Sequence, residues 1–192
     1  MRKVIVNEFL ALDGTAQAPG GPDEDTSGGF QHGGWQMQYG TGSGVENLID
    51  EAGGFLLGRR TYEIFAAYWP NAPEEEQVVA EPLNTKPKHV ASRTLAGPLE
   101  WQNSSVLEGE LADAVAALKQ EDGGDLLVIG STVLVQALIE HDLVDEYRLM
   151  IDPITLGGGK SIFPDDGALR QLRLADHEVT STGAILTTYV PA

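Results

Sequence analysis

Residues 125–129 read DLLVI, and no other stretch constrains the fold as much. Four apolar residues stand in a row behind one acid, and Gly130-Ser131-Thr132 follows at once with a helix-like pattern running to Leu138. A half-exposed strand alternates apolar and polar residues, whereas a continuous apolar run of this length marks a strand covered on both faces. Such a strand needs helices above and below its sheet, so the chain is expected to be α/β.

The rest of the sequence supplies those layers. Residues 3–10 are β-rich and end at the turn signal Asp13-Gly14, residues 55–57 and 88–91 are short strands, and residues 105–107 form a weaker one. Val45, Leu48, Ile49 and Ala52 recur at helical spacing until Gly53-Gly54. Tyr62, Phe65, Ala66 and Trp69 mark a helix face that stops before Pro70. A further helix covers 74–83, and Leu111, Val115 and Leu118 mark another. After Leu138 the character changes, with strands at 144–151, 161–163, 172–179 and 184–190. This order predicts a mixed, largely parallel central sheet with antiparallel C-terminal strands, in a single domain over residues 1–192.

Charge narrows the partners. The chain carries 29 acidic and 12 basic residues, for a formal net charge of -17, which opposes binding to nucleic acid or an anionic membrane. No cysteine is present, so disulfides, thiolate metal sites and a cysteine nucleophile are excluded, in keeping with a cytoplasmic protein. The opening MRKVIVNEFLALDG has the basic-then-apolar order of a secretory signal. Asn7, Glu8 and Asp13 break its apolar run, and it reads as the first strand. No window approaches the ~20 apolar residues of a membrane-spanning helix.

Against that acidity, Arg59 and Arg60 stand side by side where a strand meets a helix, in Gly58-Arg59-Arg60-Thr61. Gly130-Ser131-Thr132 is a second strand-to-helix junction, and Ala91-Ser92-Arg93-Thr94 follows a third strand with a hydroxyl and another guanidinium. Helix N-termini present unpaired N–H groups and partial positive charge, glycine admits close approach, and arginine adds bidentate contacts. Each junction alone is ordinary turn chemistry. Three in one α/β chain point to a phosphate-bearing ligand at the carboxyl ends of the strands.

Residues 13–44 form a long Gly/Pro/Asp segment that carries Phe30, Trp35, Met37 and Tyr39, either as a wall of a binding site or as pins to the core or a second subunit. Two motifs there and beyond are decoys. Gly157-Gly158-Gly159-Lys160-Ser161 has Ile154 where a P-loop needs its first glycine, and reads as a tight turn before a strand. Asp23, Asp25 and Ser27 imitate the start of an EF-hand loop whose twelfth position is Gly34 rather than an acid, so no metal is expected.

In order along the chain, EFLALDG, LLGRRTYE, VASRT, LLVIGSTVLVQAL and LGGGKSIFP resemble the dihydrofolate reductase-like superfamily. The resemblance is nearest to the reductase domain of riboflavin-pathway deaminase-reductases. It implies a three-layer α/β/α fold, a stand-alone reductase without the deaminase part, NADPH as cofactor and a homodimer. Gly58, Arg59 and Thr61 match the element that contacts the pyrophosphate and adenosine 2′-phosphate. Ser92 and Arg93 match the loop at that same 2′-phosphate, while Ile129, Gly130, Ser131 and Thr132 match the strand end and helix start beneath the pyrophosphate. Gly14, with the backbone of Phe9 and Ala11, matches the surroundings of the nicotinamide. Asp13 is the nearest acid to that ring and the candidate catalytic residue, with holding its loop as the other role. Phe30 and Trp35 are candidates to stack on a planar small-molecule substrate. Arg60 occupies a variable position and is expected to face solvent or pair with an acid. Dihydrofolate reductases place a pocket carboxylate on the helix before the G-R-x-T strand. The acids there, Glu46 and Asp50, lie off the apolar stripe and are expected to be solvated. The resemblance thus implies reduction of a pterin-like, pyrimidine-type or carbonyl/imine substrate, with a non-catalytic dinucleotide- or pterin-binding protein as the alternative.

Overall fold

The computed structural model describes residues 1–40 and 44–192, so the last part of the long 13–44 segment lies partly outside the described residues. In chain order the elements are β1 (Val4–Ala11), α1 (Val45–Glu51), β2 (Gly54–Gly58), α2 (Arg59–Tyr68), α3 (Gln77–Thr85), β3 (Lys88–Ala91) and β4 (Ser104–Val106). Then come α4 (Leu111–Gln120), β5 (Leu126–Ile129), α5 (Thr132–Glu140), β6 (Glu146–Asp152), β7 (Leu172–Val179) and β8 (Ile185–Pro191). The eight strands form one sheet in the order β4-β3-β2-β5-β1-β6-β8-β7. Pairing is parallel from β4 to β6 and antiparallel for β6–β8 and β8–β7.

The apolar run at 126–129 does what its composition requires. Leu126 and Val128 enter one core with Val4, Val6 and Leu56, beneath α4 and α5. Leu127 and the partly buried Ile129 enter the other with Ile5, Phe55 and Leu57, beneath α1, α2 and α3. Helices thus cover both faces, giving the α/β/α layering. Among the described residues, no helix is long and apolar enough to cross a membrane.

Three element boundaries differ from the sequence expectation. The chain continues past Tyr68 as a 3₁₀ turn over Trp69–Asn71, which accommodates Pro70 because a first-turn proline forfeits no intrahelical N–H bond. The helix expected over 74–83 begins with another 3₁₀ turn, Glu74–Glu76, and becomes α-helical at Gln77. The strand expected at 161–163 does not form. Ser161 makes a single antiparallel bridge to Thr15, and Ile162 is fully buried in the core. The preceding Gly159 has φ +138, and a Cβ there would lie 2.6 Å from Thr15 and 3.1 Å from Phe30, so glycine is required to let this turn close on the loop.

The site depends on where strands end. β1 pairs with β5 only from Val4 to Asn7, but with β6 as far as Ala11 opposite Asp152. β1 therefore overhangs β5, and the β5-facing backbone groups of residues 8–11 have no strand partner. A notch opens at the carboxyl edge of the sheet between the end of β1 and the start of α5.

One buried cation fixes the far side of this frame. Lys88 is fully buried, and its ammonium donates to the carbonyls of Leu83 (2.7 Å), Lys86 (2.9 Å) and Asn84 (3.3 Å). It thereby satisfies carbonyls that the end of α3 leaves without partners, and it lies 4.4 Å from the centroid of the Trp101 ring. Burial pushes its pKa down to about 8. Lys88→Ala is expected to destabilise the fold by about 1–3 kcal/mol in urea unfolding, because the Leu83 and Lys86 carbonyls lose their ammonium donor while Asn84 keeps the Asn103 amide. A loss below about 1 kcal/mol would mean that water replaces the ammonium at those carbonyls.

Candidate functional site

Gly58 ends β2 and faces Ala91 of β3 in the register, while β5 ends at Ile129 on its other side. The three anion-type junctions read from the sequence therefore stand on adjacent parallel strands at one edge, with the end of β1 next in line. At roughly 4.8 Å per strand, the β3 and β1 ends lie about 14 Å apart, a span suited to an extended dinucleotide.

A single hydroxyl ties two of these junctions together. Ser131 Oγ accepts the Gly58 N–H at 2.8 Å and donates to Thr61 Oγ1 at 2.7 Å. A Cβ on Gly58 would stand 2.9 Å from that oxygen, so the glycine admits the contact. Gly130 (φ +64) and Ser131 (φ +67) both adopt left-handed backbone, which turns the chain sharply from β5 into α5. Because Ser131 spends its hydroxyl across the junction, α5 has no side-chain cap, and neither does α2 behind Gly58. Two helix N-termini of at least nine residues thus keep N–H groups and positive dipole ends for an anion.

The arginines divide their work. Arg59 is exposed and makes only an i,i+4 pair with Glu63 at 3.2 Å, with both side chains about half exposed, a weak contact that an incoming phosphate can displace. Arg93 is exposed and has no ion-pair partner among the described residues. Ser92 accepts the Thr94 and Leu95 N–H groups at 3.2 and 3.0 Å, so its hydroxyl shapes the turn that carries Arg93. Arg60 pairs with Asp25 at 2.7 Å. Thr132 opens α5, half-buried.

Asp25 also receives Lys160, so one carboxylate clasps α2 and the triple-glycine turn to the 13–44 segment. Partial desolvation pushes Asp25 up, but the hydrogen bonds from Lys160 and Ser27 outweigh it and hold the carboxyl down at about 2. The same acid that imitated a calcium ligand is thus an ion-pair hub. Beside it is an open cleft of about 540 Å³, lined by Gln17, Phe30, His32 and the Gly157–Lys160 turn among others.

Phe30 reaches that cleft and meets His32 edge-on with ring centroids 5.6 Å apart. Trp35 does not reach it. It is buried and its indole N–H donates to the Gln17 carbonyl at 2.8 Å, so it pins the segment instead of presenting a stacking face. Asp13 is exposed and its carboxylate accepts the N–H groups of Leu156 (2.8 Å), Gly157 (2.7 Å) and Thr15 (3.3 Å). Slight desolvation raises its pKa, and these hydrogen bonds more than reverse that, so Asp13 is held ionised as the clamp of its own turn. The Ala11 and Gly14 backbone belongs to that turn, with Gly14 N–H donating to Ala11 at 2.9 Å. Phe9 lies one step back on β1, within the overhang. Glu46 and Asp50 are exposed on α1, as their spacing predicted.

The sequence reading missed three buried polar groups on β1 and β6. Glu8 is 4% exposed with Oε1 unpartnered, Asn7 is buried with Nδ2 unpartnered, and Asp152 is 0% exposed with neither carboxylate oxygen bonded. Burial, reinforced by Glu24, pushes Glu8 up to about 8, and burial alone pushes Asp152 up to about 7. The signal for Asp152 was its parity. In EYRLMID it shares the face of Met150, an apolar and buried position.

A protein-family model described as "RibD C-terminal domain" matches residues 2–186. The Bacillus subtilis (strain 168) protein named "Uncharacterized protein YyaP" is 26% identical over 191 residues, covering 98% of this chain and 94% of that one. A crystal structure of a pyrimidine reductase-like protein from Corynebacterium diphtheriae superposes with a TM-score of 0.68 at 12% identity, covering 100% of this chain and 92% of that one. Dihydrofolate reductase from Enterococcus faecalis, complexed with NADP(H) and RAB-propyl, gives a TM-score of 0.58 at 13% identity, covering 98% and 96%.

The unpartnered acid has a measurable signature. A carboxyl whose folded pKa lies above its unfolded value stabilises fully below the unfolded pKa, and that contribution is lost as pH rises through the folded pKa. For Asp152 the window runs from 3.8 to about 7. Asp152→Asn is therefore expected to be more stable than the parent at pH 8, by on the order of 4 kcal/mol, with the difference vanishing near pH 4 in urea unfolding. A pH-independent difference would show that Asp152 does not titrate in this window.

Proposed function

The chain belongs to the RibD C-terminal domain family and has the dihydrofolate reductase-like α/β fold, and from that footing we propose that it is an NADPH-dependent reductase of a small planar acceptor. The acceptor class is pterin-like, pyrimidine-type or a carbonyl/imine compound. The single observation that carries the reading is the line of anion-binding junctions at the carboxyl edge, two uncapped helix starts flanked by Arg59 and Arg93, ending at the β1 notch.

The donor set fits the cofactor. Arg93 and Arg59, on the turn after β3 and the start of α2, would hold the 2′-phosphate that distinguishes NADPH from NADH. The α2 and α5 starts would receive the pyrophosphate. The backbone of Phe9, past the last β1–β5 pair and facing the β5 side, would meet the carboxamide of the redox ring, since a flat amide needs a donor and an acceptor side by side. When bound, NADPH supplies the hydride, while the chain's own part is to hold, orient and exclude water. Ser131 keeps the two helix starts in register, and the Asp25 clasp with Arg60 and Lys160 holds the loop that borders the cleft.

The exposure of Glu46 and Asp50 favours a second reading, a binder of NADPH or a pterin without turnover. NADPH binding with no oxidation across a pterin, pyrimidine and carbonyl panel would select it.

Arg59→Ala and Arg93→Ala are each expected to weaken NADPH by about 1–3 kcal/mol more than NADH in isothermal titration, the worth of a charge-assisted bond. Equal losses for the two cofactors would move the 2′-phosphate away from these arginines.

A further inference from the structure

We propose that Asp152 is the buried acid at the redox end of this groove and holds the proton that accompanies hydride transfer. The inference rests on the reductase reading above and deepens it.

Register places the residue. Asp152 ends β6 directly beside Ala11, on the same face as Phe9 and Asn7, and Ala11 is the last residue of the β1 overhang. A dinucleotide with its phosphates at the ends of β3, β2 and β5 would bring its ring to that overhang. Asp152 is then the buried carboxyl adjacent to it. The Asn7 amide, on the same face but opposite Arg148 and four register positions back, is also unpartnered. An orphaned carboxyl in a packed interior is destabilising, and such groups persist where function requires them.

The other charged groups nearby are engaged or face elsewhere. On β1, Glu8 has the parity of Val6 and Leu10 and faces the opposite core, and Asp13 is held by three N–H groups. On β6, Arg148 and Glu146 pair with each other, four or more residues back from Asp152. β8 contributes no charged residue. In the covering loop, Glu24 accepts the Gly20 and Gly21 N–H groups, and Asp25 pairs with Lys160 and Arg60. With no cation paired to it, Asp152 keeps its proton in about half of the molecules at pH 7 and can give it up. The balance is complete. Bound NADPH would supply the hydride to the acceptor carbon, the Asp152 proton would go to the adjacent heteroatom, and water would reprotonate the carboxylate.

The test needs no known substrate. The oxidised ring is positively charged and the reduced ring neutral, so NADP⁺ should drive a proton off a nearby acid while NADPH should not. Calorimetry of NADP⁺ and NADPH binding at pH 7, in buffers of different ionisation enthalpy, gives the protons released by each. Release caused by the 2′-phosphate is common to both cofactors and cancels in the difference. The wild-type protein should release roughly half a proton more with NADP⁺, the fraction expected of an acid titrating near 7. Asp152→Asn should bind both cofactors and lose that difference, and Glu8→Gln should keep it. An equal difference in wild type and Asp152→Asn would overturn the proposal alone, as would its loss in Glu8→Gln but not in Asp152→Asn. No binding of either cofactor to the wild type would instead overturn the reductase reading, and this proposal with it.

Discussion

The short central strand governs this molecule. β5 has four residues and β1 beside it has eight, and both are buried in the middle of the sheet. β5 must stop early because Gly130 and Ser131 take left-handed backbone, and β1 runs on because β6 still pairs with it. The notch, the uncapped start of α5 and the alignment of the three junctions all follow from that difference in length. Ser131 then sets the spacing across it, since one hydroxyl reaches both the Gly58 N–H and Thr61.

Electrostatics sorts the charged side chains by what each can contribute. The Arg59–Glu63 pair is half exposed and worth at most about 1 kcal/mol, so it does not oppose ligand binding. Asp25 stands between, less exposed than the cations that grip it and joining three separate chain segments. Asp152 and Glu8 are at the other extreme, with no cation partner at all. Surface charge explains how an acidic chain can still receive an anion, because the net charge is spread over the surface while both uncapped helix starts and Arg93 remain at one edge. Buried charge is the more informative kind where, unlike Lys88 with its three carbonyls, it has no partner to offset its desolvation.

How much of this was legible in the sequence depended on the range of the interactions. Residues 126–129 revealed the central strand because two-sided burial leaves an uninterrupted apolar run. Helices α1 and α2 followed from periodicity, and the solvated Glu46 and Asp50 followed from the same angles. The junctions at Gly58, Ser92 and Gly130 were legible because local backbone chemistry defines them. Trp35 misled because an aromatic ring in a long loop has the same appearance in sequence whether it lines a cleft or anchors the loop. The strand at 161–163 failed because Ile162 is buried in the core and Phe163 is left exposed, while only Ser161 finds a bridge partner. The clasp of Asp25 by Arg60 and Lys160 joins residues far apart in the chain, and no local pattern encodes it.

The location of the acid follows from the same geometry. α1 turns Val45, Leu48 and Ile49 toward the sheet, and its carboxylates must then point to water. A helix with that stripe cannot offer an acid to the groove without exchanging a core contact for a charge. The end of β6 can, because a terminal strand position lies beside the β1 overhang while its flanks stay packed. Asp152 precedes Pro153, whose missing N–H and fixed φ end the regular strand there. An acid placed one residue earlier would change faces and join the α4–α5 core with Ile151 and Leu149. One placed two residues earlier would take the Met150 position and lose the place beside Ala11. The β1–β6 register therefore leaves a single position on this strand from which a carboxyl can be both fully buried and beside the last residue of the overhang, and Asp152 occupies it.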